Sequence, residues 1–293
     1  DINDNGIDII DMDSYSIVET ISLAILYTLN MGKDEHESIA YSITEELIND
    51  ISYVDRVRVP RFNDIMQLSK SQLNHSDIGR KLQVDKIVSG SILVEEDTMQ
   101  LNFELLDINS GKVLWSNSWR DLIVNTNKIR KNILDGALGS LNIVIPKELL
   151  DSLSEAMSLN TDALYEYNKG KYYCLEFLEK KSDLDQAKKH INSALLLDDN
   201  FVEAYYLSGV VSQRMGNYDE AESALKRGYE IANQNNNLRG KSHIHRGFKL
   251  LYTRWGKYSQ AVEHIKKALK IEMKLNNPSF ESQLRLDYAN SLN

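Results

Sequence analysis

The chain of 293 residues is poor in the residues that staple, kink or loosen a fold: it has one cysteine, three prolines and 14 glycines. The single Cys174 excludes an intrachain disulfide framework and a multi-thiolate zinc site. Long hydrophobic runs are missing too. The longest, around Ile21–Leu29, is far too short to cross a bilayer as a helix, so membrane insertion by this stretch of protein is not expected. The first residues are acidic rather than basic, which is not the pattern of a secretory leader. What remains, 42% hydrophobic and 26% charged, is the balance of a folded chain rather than a disordered one. Beginning at Asp1 and ending inside the apolar-patterned Phe280–Leu292, it reads as a piece of a longer protein.

The net charge of −9 is unevenly spread, with −12 on residues 1–160 and +3 on residues 161–293. An acidic first half is a poor polyanion binder, so no nucleic acid partner is expected. The stretch Arg239–Lys274 differs, with ten Lys/Arg against Glu263 and Glu272. A solvated helical face accounts for such a cluster, and an acidic partner is the alternative.

Residues 18–146 alternate strand and helix patterns. Ser22–Leu29 is a short apolar run that suits a buried strand. In Asp34–Ser52, Ile39, Ile43, Leu47 and Ile51 form one helical stripe, which leaves Glu45, Glu46 and Asp50 on the outside. Arg56–Pro60 reads as a second strand, and Phe62–Ser69 and Asp77–Leu82 as short helices, the latter with Ser76 as N-cap. Lys86–Val94, Met99–Leu105 and Val113–Arg120 alternate as an antiparallel meander, and Gly111 suits a positive φ in its second turn. Trp115 and Trp119 fall on one strand face, which core packing explains and a ligand platform would also use. An amphipathic helix over Thr126–Asn142 closes the order, demanding a mixed sheet covered by helices. The segments Ser42–Ser52, Asp77–Ser91 and Glu104–Trp119 resemble the amino-terminal domain of TolB and its TolB-like relatives, most specifically over Leu106–Trp115. Tyr27-Thr28-Leu29 stands where that family has a proline-phenylalanine after the first apolar run.

Residues 161–293 repeat. Leu184/Tyr218/Tyr258, Ala187/Ala221/Ala261, Ile191/Leu225/Ile265, Ala194/Gly228/Ala268 and Leu197/Ile231/Ile271 march at steps of 34 and then 40. Gly216 and Gly256 stand where a helix C-cap needs a positive φ. The pattern resembles the tetratricopeptide repeat, best over Asn200–Asn233, with units at about 161–199, 200–233 and 240–275 and a partial one at 279–293. Asp199 and Asn233 replace the family's terminal proline, and Lys249 takes the small-residue position of the third unit. The division expected is therefore an acidic tail at 1–17, a TolB-like α/β domain at 18–146, a helical linker at 147–160 and an all-α superhelix from 161.

Catalytic and cofactor chemistry find no support in the pattern. Gly240-Lys241-Ser242 lacks the leading glycine of a phosphate loop, since Asn235 stands there, and reads as a polar inter-repeat turn. His36 belongs to no two-histidine zinc helix. His243 and His245 point about 200° apart on a helix and read as solvent-facing or capping. Asp1-Ile2-Asn3-Asp4-Asn5-Gly6 opens like a calcium loop but meets Met12 where a bidentate carboxylate is needed. No serine elbow, cysteine–histidine dyad or nucleotide fingerprint occurs, so neither catalysis, a metal nor a cofactor is expected. A repeat superhelix instead presents a groove for a protein or peptide. The resemblance places Glu203, Tyr206, Val210, Gln213 and Arg214 in its second unit, and His243, Arg246, Thr253 and Arg254 in its third. It also implies a regulatory or scaffolding region of a bacterial signalling protein, cytoplasmic, with a cyclase, DNA-binding or kinase domain upstream. A periplasmic docking protein and a small-molecule receptor are the alternatives, and homo-oligomerisation stays open.

Overall fold

The computed structural model describes residues 20–52, 54, 56–69, 71, 73–145, 147, 150, 158–174, 183–275 and 285. The acidic tail, the calcium-like hexapeptide, most of the linker and, apart from Arg285, the partial fourth unit lie outside the described residues.

The α/β layer is a six-stranded mixed sheet. The strands are β1 (Ile21–Ile25), β2 (Leu29–Asn30), β3 (Val57–Arg58), β4 (Lys86–Glu95), β5 (Thr98–Asp107) and β6 (Val113–Leu122). Their order is β3-β1-β4-β5-β6, with β2 also pairing β4. β1 runs parallel to β3 and β4, while β4, β5 and β6 form the antiparallel meander. Met99, Leu101, Phe103 and Leu105 of β5 are buried on one face, as their alternation requires. Gly111 has φ +68° in the second turn.

Four helices belong to this layer: α1 (Glu37–Ile51), α2 (Phe62–Ser69), α3 (His75–Leu82) and α4 (Thr126–Gly139). Four boundaries depart from expectation. The apolar run Ser22–Leu29 is two strands, because hydroxyls capture its middle: Tyr27 N–H donates to Ser69 Oγ at 3.0 Å and Thr28 N–H to Thr44 Oγ1 at 2.9 Å. A single 3₁₀ turn, Asp34–His36, precedes α1. Asn74, not Ser76, caps α3, its Oδ1 accepting from Asp77 N–H at 2.9 Å. Finally, α4 stops at Gly139, and the chain turns back so that Ile143 N–H reaches Leu138 O.

The helical half follows as α5 (Thr161–Cys174), α6 (Leu184–Leu197), α7 (Val202–Arg214), α8 (Tyr218–Gln234), α9 (Leu238–Arg254) and α10 (Tyr258–Lys274). The 40-residue step is helix, not loop: α8 and α9 have 17 residues each where α6 has 14 and α7 has 13. Gly216 and Gly256 take φ +83° and +74° at the turns, and the next N–H reaches back to Ser212 O and Tyr252 O. Ala187, Ala221, Ala261, Ala194 and Ala268 are buried. At Gly228 a Cβ would meet Ile244 Cδ1 at 2.7 Å and Tyr205 Cβ at 2.9 Å, so the helices touch through its backbone.

The two halves share one core. A single apolar cluster runs from β1 and α1 through Ala163, Leu164 and Tyr167 to Ile191, Phe201 and Val211. A second fills α7 to α10 around Leu225, Ile244, Leu251 and Ala261, and among the described residues a third holds Ile265 and Ala268. Trp115 and Trp119 lie 5.9 Å apart by ring centroids, half-buried against the core. Gly136 of α4 makes the room, since a Cβ there would come within 2.4 Å of the Trp115 ring.

Candidate functional site

The apolar stripe of α1 faces the sheet, and period alone leaves its carboxylates to solvent. The structure overturns that reading: Asp50 is fully buried and the Glu46 side chain is only 12% exposed. The outer side of α1 is covered by cations from three other helices. Arg130 of α4 bonds Asp50 through Nε at 2.9 Å and Nη2 at 2.7 Å, and it also meets Glu46 and Asn127 Oδ1. Lys171 of α5 lies 3.1 Å from Glu46 and also pairs with Glu45. Arg239 of α9 donates to Asp50 Oδ1 at 2.7 Å. Such a network is costly to build and costly to break, because each charge is desolvated.

Protonation follows from this enclosure. Burial pushes Glu46 up, but Arg130 and Lys171 outweigh it and hold the carboxyl down at about 2. Lys171, depressed by burial, is carried well above its ordinary value by Glu45 and Glu46. Glu203 of α7 lies in the same field, and burial raises its carboxyl to about 7. His243 of α9 is driven well below the usual imidazole range by burial, then by Arg246, Arg239 and Lys171.

The nine residues expected to line a groove therefore divide. Glu203, Tyr206 and His243 are half-buried, with the Tyr206 and His243 rings 5.9 Å apart. His243 Nε2 is buried without a hydrogen-bond partner. Val210 packs against the shared core, Gln213 is buried, and Arg214 Nη1 donates to Cys174 O. Arg246 is half-buried at the edge, whereas Thr253 and Arg254 are exposed. Sequence reasoning missed Glu45, Glu46, Asp50, Arg130, Lys171 and Arg239. The available signal was the second face of α1, where Ala40, Tyr41, Thr44 and Ile48 extend the buried arc well past one stripe.

Other expectations need correction. His243 and His245 are not solvent-facing: α9 lies between neighbours on both flanks, so residues 200° apart both find cover. His245 is 5% exposed, and its Nδ1 lies 3.0 Å from His264 Nδ1. Gly240-Lys241-Ser242 is the first turns of α9 rather than a loop, with Gly240 N–H capped by Asn237 Oδ1 at 2.7 Å and Ser242 bonded to Glu272. Among the described residues, no group of three His, Cys, Asp or Glu side chains is placed to hold a metal ion. Nor is any described helix long and apolar enough to cross a membrane.

Residues 200–272, spanning α7 to α10, match the tetratricopeptide repeat family model. No curated protein matches the chain. Solved structures similar to it include TolB from Acinetobacter baumannii, at 12% identity and TM-score 0.31, covering 42% of this chain and 28% of that one. The LpoB C-terminal domain from Salmonella enterica is 15% identical at TM-score 0.30, covering 38% of this chain and 88% of that one. Its counterpart from Escherichia coli gives 15% and 0.29, with the same coverage. This chain thus spans little more than a quarter of the length of the Acinetobacter TolB. The repeat match and the observed helix pairs coincide, so a mixed α/β layer is followed here by a helical stack with tetratricopeptide character over residues 200–272.

Proposed function

We propose that the chain is a non-catalytic protein–protein interaction and regulatory region of a bacterial signalling protein, acting in the cytoplasm beside an output domain outside this sequence. The interaction role is the usual one for tetratricopeptide repeats, and the signalling setting is what the combination of halves resembles. The carrying observation is the stripe Arg239, His243, Arg246, Leu250 and Thr253 on α9, spaced four, three, four and three residues apart. Its first member, Arg239, is closed against α1 through Asp50. Its last are open, with Leu250 37% exposed and Thr253 and Arg254 at the surface. An apolar residue flanked by cations in the basic stretch of the chain suits an acidic, partly apolar segment of a partner protein.

The test is affinity capture from the native host with the whole chain as bait, against a bait carrying Arg246→Glu and Arg254→Glu. A protein retained by the first and lost by the second is the expected result. Equal capture by both baits removes this surface from the reading. A partner belonging to an envelope complex would replace the signalling setting with a periplasmic one.

A further inference from the structure

The first half of the chain is strongly acidic, yet one cleft in it gathers cations. It opens where the edge strand β3 meets α2 and the end of α3, and its volume of about 830 Å³ is that of a small-molecule site. Arg58 of β3, Arg61 just before α2 and Lys81 in the last turn of α3 line it, against one described carboxylate, Asp64. None of the three cations is paired with a carboxylate among the described residues. Their neighbour Arg80 shows the contrast, since it meets Asp77 at 2.5 Å. Arg58 is positioned without a counter-charge: its Nη2 donates to Gln83 O, at the left-handed residue that ends α3. That bond uses one of its five N–H donors.

The rest of the wall is apolar. Leu82 is buried, and Val59, Leu68 and Leu73 are half-buried along the cleft. Asp64, Gln67 and Leu68 bring one face of α2 to it, at the three- and four-residue spacings that share a helix surface. Three cations against one carboxylate leave two positive charges beside an apolar surface. A phosphate monoester carries nearly two negative charges at neutral pH, and its terminal oxygens suit guanidinium and ammonium donors.

We propose that this cleft binds a small phosphate monoester with an apolar body. Arg58, Arg61 and Lys81 take the phosphoryl oxygens, and Val59, Leu68, Leu73 and Leu82 cover the remainder. The site is separate from the α9 surface offered for docking, so it stands or falls independently of that reading.

Calorimetric titration of the whole chain with naphthyl phosphate tests this, at about pH 8, where the phosphate is a dianion. One saturable site is expected. Arg61→Gln and Lys81→Gln remove exposed side chains that hold no partner, so both variants should melt with the natural protein. Each is expected to weaken binding about tenfold, or about 1.4 kcal/mol. Lys270→Gln, which removes an exposed cation of α10, is expected to bind like the natural protein. Naphthoate has the same body with one charge, and inorganic phosphate has the charge without the body. Both should bind at least about tenfold more weakly than the monoester. The absence of saturable binding, an unchanged affinity in either cleft variant, or an equal loss in Lys270→Gln overturns the site. Naphthoate bound as tightly as the monoester overturns the choice of phosphate, and inorganic phosphate bound as tightly overturns the apolar wall.

Discussion

Asp50→Asn isolates the energetics of the junction with little change in shape. The carboxylate is fully buried and accepts three hydrogen bonds, two from Arg130 and one from Arg239. Removing its charge leaves Arg130, itself 3% exposed, with Glu46 and Asn127 alone. Breaking one partner of such a buried pair costs roughly 3–5 kcal/mol; Glu46 still faces Arg130, so the lower end of that range, about 3 kcal/mol, is expected. Arg239 is less enclosed, its side chain being 17% exposed, and can turn towards water. Arg239→Met is therefore expected to cost only about 1–2 kcal/mol. Urea unfolding followed by tryptophan fluorescence measures both, since Trp115 and Trp119 report on the sheet and Trp255 on the repeats. The shared core further predicts that the Asp50→Asn loss appears in the signal of both halves. A cost near zero for Asp50→Asn would mean a solvated carboxylate, as the helical period of α1 suggests, and the buried junction would be refuted.

Two further perturbations probe other parts of the molecule. Gly136→Ala places a Cβ within 2.4 Å of the Trp115 ring, which must leave its rotamer or push α4 away; a loss of about 1–3 kcal/mol with altered tryptophan emission is expected, and an unchanged emission would refute the packing. The His245–His264 pair predicts acid sensitivity in the third repeat. Burial lowers both rings from 6.5 to about 4, so the unfolded chain takes up protons below 6.5 while the folded one does not. Stability is complete above that pH and is lost as pH falls towards 4. Between about pH 7 and about pH 5 the His245 ring accounts for roughly 2 kcal/mol, which His245→Gln should abolish in urea unfolding at the two pH values.

Elements with a clean period were legible from sequence. The β5 alternation of Met99, Leu101, Phe103 and Leu105, the glycines at the repeat turns and the five repeat columns each arise from local geometry, which the chain writes into adjacent residues. What escaped was decided by partners distant in sequence. Whether Asp50 faces water depends on Arg239, 189 residues away, and on Arg130, 80 residues away. His243 and His245 were misjudged for the same reason: a helix in the middle of a stack is covered on two flanks, so opposed positions are both buried. Short interruptions escaped too. Ser22–Leu29 looks continuous because its break is made by hydroxyls on α1 and at the end of α2, not by anything within the run.

The junction also bears on how the repeat stack begins. A helical-repeat array needs a cap at each end, since a terminal pair cannot bury its outer face alone. At its start the stack has one: α5 is backed by α1, and the same apolar cluster that fills the sheet continues into α6 and α7. The α9 surface offered for docking, around Leu250, Thr253 and Arg254, lies at the opposite end of that helix from Arg239. The junction lies at its start, where Arg239 donates to the fully buried Asp50 of α1. One helix carries both features because α1 stands between the sheet and the first repeats and holds the first turn of α9 through Asp50.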